Sequence, residues 1–294
     1  MNDNKHLGLI GLGLIGTALA RRLIAAGFSV AGYDIAAEAR ARLGDIGGTP
    51  IDTIAEIARS CPRVLIAVFN TEQVESVIEG AGGLLAEPQR AARQVINFST
   101  CDPGRMSALA QRCEARGLSF LETPLSGASD QVARGEAVCL VGGDKPALEE
   151  SLDVIQVVCA KHYFMGAVGN GGKAKLATNL VLGLNRAALA EGLVYAERLG
   201  LPLDAFFEEV KNSAAYSEVM DAKGGKMVAR DFRALGKIVQ SAKDFGLILE
   251  TAEAAGQRLP FAALYAEMMA GCVAAGEGEW DNAAIIENIR RLRK

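Results

Sequence analysis

Short apolar runs alternate with helix-like stretches along the first half of the chain. The runs lie at residues 7–10, 28–33, 64–69, 95–98, 118–121 and 137–141. A continuous run such as residues 64–69 is typical of a parallel strand that is covered on both faces. Between the first two runs, residues 17–26 have the pattern of a helix that Gly27 closes. This alternation predicts an α/β fold with a doubly wound parallel sheet.

The second half of the chain has a different pattern, which is helical throughout. Residues 172–199 predict one long helix, because apolar side chains recur at spacings of three and four positions. We therefore place a domain boundary near Gly166, with one domain at residues 1–165, an all-α domain at residues 166–294, and the long helix joining them. Several of the later segments are apolar on more than one face, which predicts a homodimer or homotetramer.

The composition is that of a globular protein, since half of the 294 residues are apolar and 22% are charged. The 31 Lys and Arg residues are balanced by 35 Asp and Glu residues, so no nucleic-acid partner is expected. Residues 7–20 form an apolar run that resembles an export signal, but its four glycines argue against a helical signal segment. No other stretch approaches the roughly 18 apolar residues of a membrane helix. We expect a cytoplasmic protein with no membrane partner.

The six cysteines are scattered and include no C-x-x-C pair. Most have apolar neighbours in the sequence, which predicts reduced thiols in a reducing compartment. The same spacing argues against a structural zinc, so no metal is expected. The cysteines are Cys61, Cys101, Cys113, Cys139, Cys159 and Cys272.

The turn after the first predicted strand carries a G-x-G-x-x-G motif, formed by Gly11, Leu12, Gly13, Leu14, Ile15 and Gly16. The first glycine suits a tight turn, the second lets a pyrophosphate approach the backbone, and the third allows close helix–strand packing. Asp34 ends the second strand, where a carboxylate accepts hydrogen bonds from both ribose hydroxyls and repels a 2′-phosphate. The pattern predicts a Rossmann-type dinucleotide-binding domain that takes NAD, with NADP less favoured.

A second glycine-rich segment, residues 166–173, opens the long helix. It does not match a phosphate-binding P-loop, because the residue after its lysine is neither Ser nor Thr. Lys175 and Asn179 are four residues apart and therefore share a helix face, and Arg186 returns to nearly the same direction. From spacing alone, the simplest interpretation of Lys173 and Lys175 is that both are solvated charges on the helix surface.

The ordered motifs of this chain resemble those of the β-hydroxyacid dehydrogenase family over essentially its whole length. Besides the glycine motif, residues 99–103 (Ser-Thr-Cys-Asp-Pro) look like the family's Ser-Thr-x-x-Pro segment, and residues 123–128 (Thr-Pro-Leu-Ser-Gly-Ala) look like its substrate loop. Residues 166–179 look like its catalytic G-x-x-G-x-G-x-x-x-K-x-x-x-N segment, and residues 243–247 resemble its Lys-Asp-Leu-x-Leu segment. The resemblance implies a relative of 3-hydroxyisobutyrate dehydrogenase, tartronate semialdehyde reductase and 6-phosphogluconate dehydrogenase.

By this resemblance, Lys175 is the catalytic residue and Asn179 is its helical partner at the substrate. Ser126 and Gly127 would bind the substrate carboxylate through a hydroxyl and a backbone N–H group. Ala128 belongs to the same substrate loop, at a position where the family has a second glycine. That departure suggests a substrate different from the small acids of the best-known members.

The resemblance also places two residues at the cofactor, Thr100 beside the nicotinamide and Lys243 closing over it. Histidine, the usual proton-transfer group near neutral pH, is present only as His6 and His162. Its scarcity independently favours Lys175 for proton transfer. We expect burial to depress the pKa of this lysine from its reference value of about 10.4.

We expect an NAD-dependent oxidoreductase that transfers a hydride between nicotinamide and a short β-hydroxy acid, or the corresponding semialdehyde or keto acid. Residues 1–165 would bind the dinucleotide, and residues 166–294 would serve substrate binding and oligomerisation. Two alternatives stay open: an imine reductase of the same fold, and a regulatory protein that binds NAD without catalysis. Lys175 argues against the first, because imine reductases do not typically have a lysine proton donor at this helix position. The joint presence of Lys175, Asn179 and Ser126 argues against the second.

Overall fold

The structure is a computed structural model that describes residues 5–159 and 161–292. It divides into two compact units, Met1–Lys175 and Leu176–Lys294. A long helix, Asn170–Arg198, starts in the first unit and continues into the second. The division therefore falls inside this helix, and the predicted domain limits of 1–165 and 166–294 stay a prediction.

The first unit contains a six-stranded sheet whose strands are all parallel. The strands are β1 (His6–Ile10), β2 (Ser29–Tyr33), β3 (Thr49–Pro50), β4 (Arg63–Ile66), β5 (Gln94–Asn97) and β6 (Ser119–Glu122). Their order is β3-β2-β1-β4-β5-β6. In doubly wound sheets of this order, ligands bind at the carboxyl ends of the strands where the order reverses, here between β1 and β4. The predicted α/β fold with a doubly wound sheet is confirmed.

Helices cover both faces of this sheet, and successive strand residues alternate between two cores. Leu9 belongs to the core on one face, beneath α1, α2, α6 and α7, whereas Ile10 belongs to the core beneath α3, α4 and α5. Both cores are apolar, which explains why the strands read as continuous apolar runs. The helices are α1 (Leu14–Ala25), α2 (Ala37–Asp45), α3 (Ile54–Ser60), α4 (Thr71–Glu79), α5 (Pro103–Glu114), α6 (Ser129–Arg134) and α7 (Lys145–Val158).

The apolar run at residues 137–141 does not join the large sheet, contrary to our expectation. It forms β8 (Val138–Val141), which lies between β7 (Leu125–Ser126) and β9 (Lys161–Phe164) in a separate sheet. β7 pairs antiparallel with β8, and β9 pairs parallel with it. An apolar run identifies a strand but does not specify its neighbours. The two-residue strands β3 and β7 are too short to show a periodic pattern.

The prediction of reduced thiols is wrong for two cysteines. Cys139 on β8 and Cys159 after α7 form a disulfide. They are 20 residues apart in the sequence and become neighbours because the chain returns through α7 to the edge of β8. Their spacing alone carries no sign of this pairing. The other four cysteines form no disulfide and are buried.

The second unit is helical, as predicted. The long helix α8 (Asn170–Arg198) agrees with the predicted residues 172–199. Gly183 on α8 allows close packing, because a Cβ there would overlap the ring of Phe245. No helix in the described part of the chain is long and apolar enough to cross a membrane. The other helices are α9 (Leu203–Lys211), α10 (Gly225–Ala229), α11 (Ile238–Ala254), α12 (Pro260–Ala274) and α13 (Ile285–Arg291).

Candidate active site

The glycine motif forms the turn between β1 and α1. Gly11 has a φ of +94°, and a Cβ there would overlap the carbonyl oxygen of Ala67. A Cβ at Gly16 would overlap the carbonyl oxygen of Gly11, so α1 packs this closely only without a side chain. Nothing lies within 4 Å of a Cβ position at Gly13. The loop therefore has no space for a side chain at Gly11 or Gly16, whereas the space beside Gly13 is open.

The start of α1 has the properties of an anion site. Its N-cap Gly13 makes no side-chain cap, and the first turn contains no acidic residue. The first N–H groups of the helix are thus available to an anion such as a pyrophosphate. Leu12 is buried, Ile15 is half-buried and Leu14 is exposed. The N–H groups of Leu14 and Ile15, in the first turn of α1, are available to an anion, whereas the N–H of Leu12 donates to Asp34. The loop fits a dinucleotide.

Asp34 follows β2 and is tied to the glycine loop. Its Oδ2 accepts a hydrogen bond from the Leu12 N–H at 2.7 Å, and its Oδ1 accepts one from the Ala36 N–H at 2.9 Å. Arg40 lies beside it and donates to the main-chain carbonyl of Asp34 at 2.7 Å. A carboxylate suits the ribose hydroxyls of NAD, whereas an arginine suits a 2′-phosphate. The region after β2 therefore contains both a carboxylate, Asp34, and an arginine, Arg40.

Thr100 lies in the segment between β5 and α5, and hydrogen bonds hold this segment on both sides of it. On one side, Ser99 Oγ accepts a hydrogen bond from the Val68 N–H at 3.0 Å, which ties the segment to the loop after β4. On the other side, Asp102 caps α5 by accepting from the Arg105 N–H at 2.6 Å. Thr100 is half-buried between them.

The predicted substrate loop begins at Ser126, the last residue of β7, which is half-buried. Gly127 has a φ of +147°, and a Cβ there would lie 3.1 Å from the Cβ of Ala137. A larger residue would therefore be strained at this position. Ala128 has an ordinary extended backbone, with φ −79° and ψ 169°. Alanine thus replaces the family's glycine without strain, and its N–H donates to Gln131 Oε1 at 2.9 Å.

A buried carboxylate that our sequence analysis did not single out, Glu122, ends β6. Its side chain is 2% exposed, and its Oε1 accepts hydrogen bonds from the N–H groups of Gly169 at 2.6 Å and Gly171 at 2.8 Å. Burial raises the pKa of Glu122, although the N–H groups of Gly172, Gly169 and Gly171 and the charge of Lys173 oppose this rise. The available signal was an acidic residue at the end of an apolar strand, directly before the substrate loop.

Lys175 is buried, with 7% of its surface exposed, whereas Lys173 is exposed. The interpretation of Lys175 as a solvated helix charge is therefore wrong. On α8 it lies one turn after Gly171 and one turn before Asn179. Burying a lysine costs free energy, so a lysine in this position indicates a specific task.

In the second unit, Asn179 forms a polar cluster with two residues of α11. Its Nδ2 donates to Asp244 Oδ2 at 2.8 Å, and Lys243 Nζ lies 2.9 Å from Asp244 Oδ1. Asp244 thereby orients the amide of Asn179, a role that its place in the 243–247 segment did not reveal. Arg186 has a different environment: it is buried in the helical core, and its Nη1 donates to Tyr265 Oη at 2.6 Å.

The structure therefore connects the predicted site residues in three groups. In the first unit, Asp34 is joined to the glycine loop, and the start of α8 is joined to the end of β6, which leads into the substrate loop. In the second unit, Asn179 is joined to Lys243 through Asp244. The roles assigned to these residues stay predictions. Within the described residues, no group of three or more His, Cys, Asp or Glu side chains is arranged to hold a metal ion.

Both halves of the chain match models of known protein families. Residues 6–166 match the model of the NAD binding domain of 6-phosphogluconate dehydrogenase. Residues 169–289 match the model described as NAD-binding of NADP-dependent 3-hydroxyisobutyrate dehydrogenase. These two matches follow the same order as the motifs along the chain.

Individual relatives match over most of their length. The chain is 33% identical to an L-threonate dehydrogenase from Cupriavidus necator, over 97% of this chain and 96% of that protein. It is 27% identical to a 2-hydroxy-3-oxopropionate reductase from Escherichia coli, over 84% of each. The crystal structure of a 3-hydroxyisobutyrate dehydrogenase from Salmonella typhimurium is 29% identical, with a TM-score of 0.86 over 96% of this chain and 99% of that one. The chain therefore belongs to the β-hydroxyacid dehydrogenase family of NAD(P)-dependent oxidoreductases.

Proposed function

We propose that this protein transfers a hydride between NAD and a short β-hydroxy acid, or the corresponding semialdehyde or keto acid, with Lys175 as the proton-transfer residue. The observation that carries the proposal is the burial of Lys175 on α8, whose first turn is bound by the end of β6. The same strand end continues directly into Ser126 and Gly127. The proposed proton-transfer residue and the proposed carboxylate-binding loop thus both follow in the chain from segments that meet at the end of β6.

Each site residue has a task that suits its chemistry. The Ser126 hydroxyl and the Gly127 N–H donate to the substrate carboxylate, which orients the carbon that reacts. Lys175 donates a proton to the substrate oxygen in reduction and accepts it in oxidation. As a cation it also stabilises alkoxide charge. A nicotinamide cofactor supplies or accepts the hydride when it is bound.

The remaining residues orient these groups. Asn179, held by Asp244, presents its amide one helical turn beyond Lys175. Thr100 lies in a segment held at both ends and serves the nicotinamide side of the site. Lys243 closes over the cofactor. These assignments follow the family's motifs, residue by residue.

The panel of substrates follows from the names of the relatives. Oxidation of L-threonate and 3-hydroxyisobutyrate and reduction of 2-hydroxy-3-oxopropionate are measured from the near-ultraviolet absorbance of NADH. The test compares wild type with Lys175→Ala and with Lys173→Ala, which removes the exposed lysine two residues earlier on the same helix. We expect turnover that collapses in Lys175→Ala and persists in Lys173→Ala. Equal activity in the two variants would remove Lys175 from the mechanism.

Absence of turnover has a separate meaning. If wild type binds NADH but converts no member of the panel, the proposal of a short β-hydroxy acid substrate fails. An imine panel run in parallel identifies the reductase alternative. Binding without turnover of any acid or imine favours the regulatory protein.

Asp34 supports NAD as the preferred cofactor. Its carboxylate lies at the end of β2, where the adenosine ribose binds in this fold. Asp34→Ala should raise activity with NADP relative to NAD, because it removes the charge that repels a 2′-phosphate. Arg40→Ala is the matched control, since it removes the neighbouring cation and should not improve the use of NADP. An unchanged cofactor ratio in Asp34→Ala would exclude Asp34 as the determinant.

We also propose a homodimer or homotetramer. Large apolar side chains are exposed on two helices of the second unit, among them Val181 (59%) and Tyr195 (66%) on α8 and Phe261 (72%) on α12. Exposed apolar surface of this kind favours association. Light scattering on the purified protein tests the proposal, and a monomer at micromolar concentration would contradict it.

A further inference from the structure

Glu122 is a buried carboxylate whose hydrogen bonds reach across the first unit. It is 2% exposed, and its Oε1 accepts from Gly169 and Gly171, which are 47 and 49 residues later in the sequence. Its own backbone N–H and C=O groups both pair with Gly142, each at 2.9 Å. One residue therefore connects the end of β6, the residue after β8 and the start of α8.

The surrounding glycines leave room for this carboxylate. A Cβ at Gly142 would overlap Glu122 Oε1, and a Cβ at Gly171 would lie 3.1 Å from the same atom. A Cβ at Gly172 would lie 3.4 Å from Glu122 Oε2. A side chain at Gly142 would displace the carboxylate, and one at Gly171 would crowd it. The glycines at the start of α8 thus leave room for Glu122, a purpose that the P-loop comparison of the sequence did not identify.

The carboxylate accepts hydrogen bonds from N–H groups at the N-terminus of α8. The first N–H groups of a helix have no partners within the helix, and an anion at this end is stabilised by the helix dipole. The nearby side chain of Asn170 makes other contacts: its Nδ2 donates to the Met165 carbonyl, and its Oδ1 lies 3.3 Å from Lys173 Nζ. Because Glu122 comes from a different strand, its bonds locate the helix within the unit and do more than stabilise its first turn.

The two proposed functional segments both extend from this point. Along the strand, Ser126 follows four residues after Glu122 and pairs with Val138 on β8. Along the helix, Lys175 follows four residues after Gly171, an axial rise of about 6 Å. The hydrogen bonds of the Glu122 side chain therefore link the strand that leads to the substrate loop with the helix that carries the lysine.

We propose that Glu122 is a positioning residue that holds the start of α8 against the end of β6 and so keeps Lys175 aligned with the Ser126–Gly127 loop. This inference rests on the proposed function, in which Lys175 transfers the proton and the loop binds the carboxylate. A shift of about 1 Å in such a pair can cost about 100-fold in rate. Glu122 itself does not exchange a proton with the substrate.

The test compares Glu122→Ala with Glu122→Gln. Alanine removes the acceptor and leaves the two N–H groups buried, whereas the Gln Oε1 can still accept from both. We expect kcat to fall about 10- to 100-fold in Glu122→Ala, by the cost of misalignment given above, and to be largely restored in Glu122→Gln. The dissociation constant for NADH should change little, because the glycine loop and Asp34 lie at other strand ends.

Asp144→Ala is the matched control. Asp144 caps α7 of the same unit through the Ala147 N–H at 2.7 Å, so its loss removes a carboxylate cap at a different helix. This variant should lower the melting temperature without changing kcat per folded molecule. A solvent deuterium isotope effect on kcat that grows in Glu122→Ala distinguishes slower proton transfer from a smaller active fraction, which would scale the rate and leave the isotope effect unchanged.

Hydrogen–deuterium exchange gives a readout that does not need turnover. Amides of residues 169–176 should exchange faster in Glu122→Ala than in wild type, and at the wild-type rate in Asp144→Ala. Unchanged exchange, or faster exchange with unchanged kcat, would overturn the positioning role. If wild type converts no substrate, the proposed function fails, and faster exchange in Glu122→Ala would still support Glu122 as the residue that holds α8.

Discussion

Each compact unit buries a lysine and a carboxylate, and the two units use them in opposite ways. In the helical unit, Lys223 Nζ lies 2.8 and 2.9 Å from the two oxygens of Asp281, and both residues are almost fully buried. In the first unit, Glu122 binds backbone N–H groups of α8, and Lys175 follows one turn later on that helix. The first arrangement neutralises both charges, whereas the second gives each charge a separate role.

The pKa values of Asp281 and Glu122 shift in opposite directions, because the groups around the two carboxylates differ. Burial acts to raise the pKa of Asp281, but the charge and hydrogen bonds of Lys223, together with backbone N–H groups, hold it below its ordinary value. Burial prevails at Glu122 and raises its pKa. Asp281 and Lys223 form a buried ion pair. A carboxylate that binds the end of a helix can instead position what the helix carries.

The largest effect should come from removing the proposed catalytic lysine. Lys175→Met should lower kcat by about 10²- to 10⁴-fold, the range for loss of a general acid or base. The variant keeps the apolar stem of the side chain, so it should fold and bind NADH. Steady-state kinetics measures kcat, and a fluorescence titration measures NADH binding. A kcat within a few-fold of wild type in the folded variant would remove Lys175 from proton transfer.

Lys223→Met is the counterpart in the helical unit. Asp281 would be left buried without its cation, and breaking such a pair costs about 3–5 kcal/mol of unfolding free energy. The kcat of the folded fraction should stay near the wild-type value. Urea unfolding followed by fluorescence measures the loss, and the double variant Lys223→Met with Asp281→Asn should recover part of it. A double variant no more stable than the single one would mean that the backbone N–H bonds of Asp281 dominate.

A smaller loss is expected when the buried cation Arg186 loses its hydroxyl partner. Tyr265→Phe removes the bond from Arg186 Nη1 at 2.6 Å, and a hydrogen bond to a charged group contributes about 1.5–3 kcal/mol. The phenyl ring keeps its packing against Phe245, whose ring centroid is 4.1 Å away. Thermal unfolding should therefore show reduced stability with unchanged secondary structure. No change would mean that solvent replaces the tyrosine hydroxyl.

The smallest effect concerns pH, and its sign differs between the two carboxylates. With the pKa of Glu122 raised in the folded state, stability falls as pH rises from the ordinary carboxyl pKa through the raised value. With the pKa of Asp281 lowered, its contribution is present above the ordinary pKa and is lost as pH falls through the lowered one. Glu122→Gln should therefore gain stability relative to wild type with rising pH, and Asp281→Asn should lose it. Parallel pH profiles for both variants would contradict the comparison.

Local patterns were sufficient for much of the fold. The apolar runs located β1, β2, β4, β5 and β6, and the three- and four-residue spacing located α8, because strand and helix periodicity depend on neighbours in the sequence. The glycine motif was equally local: Gly11 needs its positive φ within one turn of chain. Family membership followed from the order of such motifs.

Contacts between residues that are far apart in the sequence could not be predicted from such local patterns. The bonds of Glu122 to α8 span 47 and 49 residues, the bond of Asn179 to Asp244 spans 65, and the Lys223–Asp281 pair spans 58. Two further features also depend on contacts that the local sequence does not specify. They are the disulfide between Cys139 and Cys159 and the separate sheet that contains β8.

The sequence by itself determined the longer strands and helices, the type of the main sheet and the motifs of this protein, since each depends on the conformational preferences and spacing of nearby residues. Only the tertiary structure decided that Lys175 is buried while Lys173 is exposed, although the two are separated by a single residue. Local spacing does not specify which face of a helix is buried, and the packing that places Gly171 of this helix against Glu122 and Leu140 is established only by folding. Folding likewise brings Glu122, an acidic residue at the end of a strand, to the start of α8, where it accepts hydrogen bonds from backbone N–H groups.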